Sequence, residues 1–377
     1  MEQVFLNAWQ KKSLWLWVLY PLTLLYRGVS WLNKKSYDLG LKKTFYPTVP
    51  VWVIGNITVG GSGKTPFIIA LVQYLQAQGV QVGVISRGYG GDVSQMPSLV
   101  TPKSTPSQVG DEPCLIVQNT QATGQAMPMA VCPNRGQAID LLLQHFPNIQ
   151  LILADDGLQH HALDRDHNWI VVDGDRGFGN RQVLPTGFLR EPIARLRQPN
   201  TTVIFHQKNW QLSDDLLPKN MLDSFRQNPL FMRLVEQNPI PLFENTQVKN
   251  HQNSLSNLKQ ESQSLPPQQV IAMTGIGYPK RFFNSLSKLG FDLIEKPLND
   301  HHKFTLADFT DLPNDLPIIV TAKDAVKIRL LLQVDNGEFA EGLKLRIWVL
   351  PVVAELSETV YHALDNQLLE LGIKSEL

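Results

Sequence analysis

Cysteine is nearly missing from this 377-residue chain: Cys114 and Cys132 are the two it has. Two thiols exclude a disulfide framework and a four-ligand zinc site. Both read as small core residues, and the scarcity fits a reducing cytoplasmic compartment. An excess of either charge is missing too. Lys plus Arg number 34 and Asp plus Glu 34, so no global basic field draws the chain to nucleic acid, and none is expected as a partner. Long hydrophobic runs are also lacking. The run at residues 14–25, LWLWVLYPLTLL, falls short of the about 20 residues a spanning helix needs. No small-residue cleavage site follows it, Tyr26 and Arg27 coming next, which excludes a signal peptide. Aromatic residues vanish from 244–269, a stretch crowded with Asn, Gln and Ser. It reads as a polar linker or insertion.

The balanced charge hides a local asymmetry. Residues 1–50 hold seven basic residues against Glu2 and Asp38, a net +5, so the rest carries −5. Four of the eight tryptophans (Trp9, Trp15, Trp17, Trp31) lie in the same segment. Tryptophan prefers the headgroup level of a membrane, and Lys and Arg are drawn to anionic lipid. Residues 4–35 therefore read as one or two helices, bent near Pro21, lying in a membrane interface. The competing reading is an aromatic helix packed on the domain behind it.

Past residue 45 the pattern is α/β. Residues 49–57 (VPVWVIGNI) form a buried strand, 66–78 have helical apolar spacing, and 80–86 (VQVGVIS) form a second strand. This βαβ opening implies a parallel sheet with helices on both faces. Further strands are expected at 149–154, 169–172 and 203–205. Beyond the polar stretch, strands at 270–274, 318–321 and 345–350 and a helix through 282–288 imply a second, smaller α/β unit. The expected division is 1–45 interfacial helices, 46–227 core, 228–268 linker and 269–377 C-terminal domain.

The sharpest motif lies between the first strand and helix: Gly60-Gly61-Ser62-Gly63-Lys64-Thr65. Glycines let backbone N–H groups close on phosphate oxygens, and the helix N-terminus adds a positive dipole end. Lys64 would reach the β- and γ-phosphates and the Thr65 hydroxyl would bind Mg²⁺. The nucleotide-binding set is thus Thr58 through Thr65. Thr58 stands where the generic pattern has glycine, and Val59 stands where dimerising P-loop ATPases carry an extra lysine.

Acids gather at strand ends. Residues 151–154 run apolar into Asp155-Asp156, the arrangement in which a carboxylate beside a phosphate loop holds Mg²⁺. A helix cap or a structural acid is the plainer reading of the pair. Asp111-Glu112 precedes an apolar helix, as a cap would. Arg190-Glu191 and Asp300-His301-His302 sit in loops, where an exposed ion pair and surface histidines are the plain readings. A carboxylate-oriented imidazole would instead move a proton. Residues 321–327, TAKDAVK, open a helix, as a solvated charged face or as part of a site.

The ordered set VIGNITVGGSGKTP, ISRGYGG, VGDEP, LADDGLQHH, LPTGFLREP, NDHHKF and TAKDAVK, spanning 53–327, resembles the tetraacyldisaccharide 4'-kinase family, the lipid A 4'-kinases of Gram-negative bacteria. The resemblance implies a P-loop fold and ATP-dependent, Mg²⁺-dependent phosphorylation of the 4'-hydroxyl of a tetraacylated glucosamine disaccharide 1-phosphate. It implies a peripheral place on the cytoplasmic face of the inner membrane, with lipid as partner and no obligate protein partner. It places the acid–base pair on Asp111 and His301, beside Lys64. Asp155, Asp156 and Glu191 become metal or nucleotide acids, with Thr65, and Arg190 a phosphate or substrate group. Ala322 stands where the family more often has Glu, so no role is assigned there. The rival reading, a membrane-attached ATPase or GTPase switch acting on a protein partner, leaves Asp111 and the Asp-His-His run without a role.

Overall fold

The structure is a computed structural model that describes residues 5, 8–120, 127–243, 265–300, 302–335 and 337–373. Among these, fourteen strands build two sheets. The strands are β1 (Val51–Gly55), β2 (Val82–Ser86), β3 (Ser98–Leu99), β4 (Met129–Val131), β5 (Leu151–Asp155), β6 (His167–Asp173), β7 (Thr201–His206), β8 (Leu230–Glu236), β9 (Ile240–Pro241), β10 (Gln269–Thr274), β11 (Asp292–Pro297), β12 (Ile318–Thr321), β13 (Ile347–Leu350) and β14 (Val352–Leu356).

The large sheet runs β14-β8-β7-β6-β1-β5-β2-β4-β3. Its strands pair in parallel from β8 to β4, and the short edges β14 and β3 are antiparallel. Every residue of β1, β2 and β5 is buried, which is why these strands read as unbroken apolar runs rather than as alternation. The sheet covers one core beneath helix Lys64–Ala77, whose Phe67, Ile68, Leu71 and Leu75 are fully buried beside Trp52 and Trp169. The small sheet runs β11-β10-β12-β13-β9, parallel except for β9.

The expected α/β architecture with helices on both faces is present, but the expected boundaries do not follow the sheets. The chain crosses between sheets twice. β8 lies in the large sheet although it falls in the expected linker, and β9 joins the small one. After β13 the chain returns: β14 pairs with β8, and helix Glu358–Glu370 buries Leu364 and Leu368 in the large core. There Gln367 accepts a hydrogen bond of 3.0 Å from the Trp169 indole. A buried indole N–H needs such a partner. Sequence periodicity sees each segment singly and carries no record of which sheet it rejoins.

At the N-terminus, a 3-10 turn Leu14–Leu19 leads through Pro21 into helix Tyr20–Asp38. The packed reading holds for one face of this segment. Thr23 and Tyr26 face inward: the Thr23 hydroxyl donates to Thr186 Oγ1 (2.8 Å) and the Tyr26 hydroxyl to the Arg190 carbonyl (2.9 Å). The outer face leaves Trp15, Trp17, Val18, Leu22, Leu25, Val29, Trp31 and Leu32 exposed. No described helix is long and apolar enough to cross a membrane. Residues 244–264, most of the expected insertion, lie outside the described residues.

Candidate active site

The phosphate loop leaves the C-terminal end of β1, where ligands of open α/β sheets bind. Gly63 caps helix Lys64–Ala77 at φ +91°, and a Cβ there would come within 2.7 Å of Met232. Only glycine tolerates that backbone without strain. Lys64 turns inward from the helix start. Its Nζ donates to Asn56 Oδ1 at 3.1 Å and pairs with Asp156 Oδ1 at 3.2 Å. Asn56, fully buried, also donates to Thr58 Oγ1 and to the Gly60 carbonyl, both at 3.3 Å. It braces the loop and aims its lysine, a role the motif reading missed although the residue lies within it.

Two of the expected nucleotide-binding positions are occupied otherwise. The Val59 N–H donates to the Phe188 carbonyl at 2.8 Å, and Thr58 bridges to Leu189. Their backbone ties the loop to the segment carrying Arg190. Arg176 adds a hold from outside, donating to the Val59 carbonyl at 2.6 Å.

Asp155 and Asp156 diverge. Asp155 ends β5 inside the core. Asp156 takes φ +45°, a left-handed turn that aspartate tolerates better than most side chains. Asp155 Oδ2 accepts from Ser86 Oγ at 3.1 Å, while Oδ1 has no hydrogen-bond partner among the described residues. Burial first, then the charge of Glu112, pushes its carboxyl up to about 7. Burial would raise Asp156 as well, but the Lys64 and Arg190 cations outweigh it and hold that carboxyl below the usual range. Arg190 Nη1 reaches both Asp156 oxygens, at 2.9 and 3.0 Å.

The orphaned Asp155 oxygen and the orphaned, buried Ser62 hydroxyl test whether a hydrated cation and phosphate fit here. Both lack what such a group supplies: a positive charge and polar contacts. Mg²⁺ keeps most of its waters and takes one or two protein carboxylates plus phosphate oxygens, so the donors present suit it. A wider three-acid set is not assembled. No group of three His, Cys, Asp or Glu among the described residues is arranged for a metal. Glu191 accepts from Gln159 Nε2 at 2.7 Å and pairs with Arg195 at 3.4 Å. It braces the loop beside Arg190 instead of joining Asp155. Burial first, then Arg135 for His160 and Arg165 for His161, lowers each of the adjacent histidines to about 4, so both imidazoles are neutral at pH 7.

Asp111 opens helix Asp111–Thr120 behind Gly110, where φ is +95° and a Cβ would meet the Tyr89 carbonyl at 2.4 Å. The plain reading as a cap is incomplete. Asp111 Oδ2 pairs with Lys327 Nζ of the small-sheet unit at 2.9 Å, and Glu112 with Lys323 at 3.8 Å. Lys327 also donates to the His302 carbonyl at 3.2 Å. His301 lies outside the described residues. His302 is engaged with Asp308 at 3.1 Å. Asp324, of the same helix as both lysines, is fully buried and accepts from Thr274, Gly275 and Thr321, so TAKDAVK is a structural staple on one side and an ionic face on the other. Arg135, also missed, is buried and donates to the Asp155 carbonyl at 2.8 Å. Its remoteness from any motif left no signal.

The family model described as tetraacyldisaccharide-1-P 4'-kinase matches residues 15–369. The tetraacyldisaccharide 4'-kinase of Psychrobacter cryohalolentis is 50% identical over 380 residues, covering 99% of this chain and 98% of the relative. That of Actinobacillus pleuropneumoniae serotype 5b is 40% identical, covering 97% and 100%. Among solved structures, LpxK from Aquifex aeolicus, in complex with ATP, superposes with a TM-score of 0.67 at 22% identity, covering 95% of this chain and 99% of that one. That last likeness speaks for the fold.

Proposed function

The chain belongs to the tetraacyldisaccharide 4'-kinase family, and from that premise we infer how its residues divide the work. It is an ATP-dependent kinase that phosphorylates the 4'-hydroxyl of a tetraacylated glucosamine disaccharide 1-phosphate in lipid A biosynthesis. The switch-protein alternative has no support among relatives matched over nearly their whole length.

Phosphoryl transfer passes through a loose transition state and needs positioning and charge neutralisation more than covalent chemistry. Backbone N–H groups of Gly60 to Lys64 cradle the phosphates. Lys64, aimed by Asn56, leaves Asp156 for the γ-phosphate when ATP arrives, and Asp156 remains balanced by Arg190. Thr65, Asp155 and Asp156 would hold Mg²⁺, which would supply positive charge to neutralise the phosphate oxygens. Asp111, aided by His301, takes the proton from the attacking sugar hydroxyl. Asp111 comes from the large-sheet side, and its partner Lys327 from the small-sheet side, so the proton-accepting site lies where both units meet and water is excluded there.

The N-terminal helix serves the lipid. Its apolar outer face and the basic segment around it suit the interface of the inner membrane's cytoplasmic face, where the acyl chains lie. The inner face touches the Arg190 segment, so docking would bring the lipid headgroup to the site. The observation that carries this reading is the Lys64–Asp156–Arg190 chain of charges at the loop, with Glu112, next to Asp111, close enough for its charge to act on Asp155. The test is transfer of labelled γ-phosphate from ATP to detergent-solubilised tetraacyl disaccharide 1-phosphate. Label in the lipid supports the reading; ATP turnover without lipid labelling contradicts it.

A further inference from the structure

Lys327 joins Asp111, one half of the inferred proton-accepting pair, to the backbone of the residue after the other half. Its ammonium lies 2.9 Å from Asp111 Oδ2 and 3.2 Å from the His302 carbonyl, next in the chain to His301. The two ion-paired side chains are 12% and 14% exposed, so the pair is largely shielded and its geometry is held more tightly than a surface pair would be. Other contacts fix the lysine. Helix Ala322–Val334 is anchored at its start by buried Asp324 and along its length by Arg329, which donates to Gln118 of helix Asp111–Thr120 at 2.9 Å. The ammonium therefore sits on a docked helix. It supplies two of its three N–H donors to two different sheets' segments.

We propose that Lys327 is a positioning residue of the phosphotransfer. It holds the Asp111 carboxylate toward the Asp-His-His segment and keeps the two units in register at the attacking hydroxyl. The inference rests on the reading of Asp111 as proton acceptor. Its two contacts, Asp111 and the His302 carbonyl, are not part of the phosphate loop, so its loss should appear in kcat and not in nucleotide affinity. A misplacement of about 1 Å at such a pair costs on the order of 100-fold in rate.

The test compares Lys327→Met, Lys327→Arg, Asp111→Ala and the Asp111→Ala/Lys327→Met double variant in the full-length protein, each assayed below its melting transition with ATP and solubilised lipid acceptor. Lys327→Met should lower kcat about 10- to 100-fold with the KM for ATP within about twofold of the parent. Lys327→Arg, which can still bridge both acceptors, should recover most of the loss. Adding Lys327→Met to Asp111→Ala should cost little more. A folded Lys327→Met protein with normal kcat beside a crippled Asp111→Ala protein overturns the positioning role alone. A loss that arginine does not recover, or that multiplies with Asp111→Ala, marks Lys327 as structural and overturns it too. An unimpaired Asp111→Ala protein overturns the reading beneath it.

Discussion

The phosphate-loop end of the large sheet and the face between the two sheets are built differently. At the loop, Lys64, Asn56, Asp156, Arg190 and Asp155 all belong to one sheet's C-terminal edge, and most of their charges are already paired. Across the interface, Asp111 meets Lys327, and Asp173 of β6 meets Arg281 at 3.1 Å, through contacts that exist only when the units are docked. The first region is preorganised by a continuous core. The second is assembled by ion pairs. Nucleotide binding should therefore survive damage to the interface, while transfer should not.

The largest effect separating the two is expected at Lys64. Lys64→Ala should lower kcat about 10³-fold or more, since it removes charge aimed at the transferring phosphoryl group. It should also weaken ATP binding, measured by calorimetry. Asp111→Ala should lower kcat about 10²- to 10⁴-fold with ATP binding nearly unchanged. If that variant binds ATP as poorly as Lys64→Ala does, the two regions are not separable.

The exposed apolar face of the N-terminal helix should yield a smaller change. Replacing exposed Trp17 and Trp31 with Gln should reduce cosedimentation with anionic vesicles about tenfold or more, given about 1.5–3 kcal/mol for each large apolar side chain withdrawn from water. The melting temperature should stay unchanged, because neither ring is in the core. Undiminished binding after a salt wash would place the anchor elsewhere.

The smallest effect is on stability and depends on pH. The folded-state carboxyl of Asp155 stands near 7, above its unfolded value. The cost of burying it is absent below that unfolded value, grows as pH rises, and levels off above the folded one. Asp155→Asn should thus raise the melting temperature of the nucleotide-free protein more at pH 8 than at pH 5, while abolishing Mg²⁺-dependent transfer. A stabilisation equal at both values would mean that Asp155 is not held up by burial.

The same contrast explains what the sequence disclosed. The loop, the acids after β5 and the strands around them were legible because they are contiguous: a buried strand, a glycine turn and a helix start leave a local pattern. The bond from the Val59 N–H to the Phe188 carbonyl was not legible, because a backbone N–H tied to a distant loop looks in sequence like any other in the motif. The partners of Glu191, Gln159 and Arg195, were hidden because a loop fold that no spacing records fixes them. The pairing of Lys327 with Asp111, the place of Arg135 and the return of residues 352–373 to the large sheet were not legible at all. Each depends on segments distant in sequence meeting in space.

The central claim, that one proton-accepting unit is shared across the two sheets, is tested most directly by a double-mutant cycle on Asp111 and His301. The measurement is kcat for label transfer in Asp111→Ala, His301→Ala and the double variant, under conditions where all are folded. Groups acting on one proton are strongly non-additive, so the double variant should be about as impaired as the worse single one. Effects that multiply would mean two independent roles and would contradict the account.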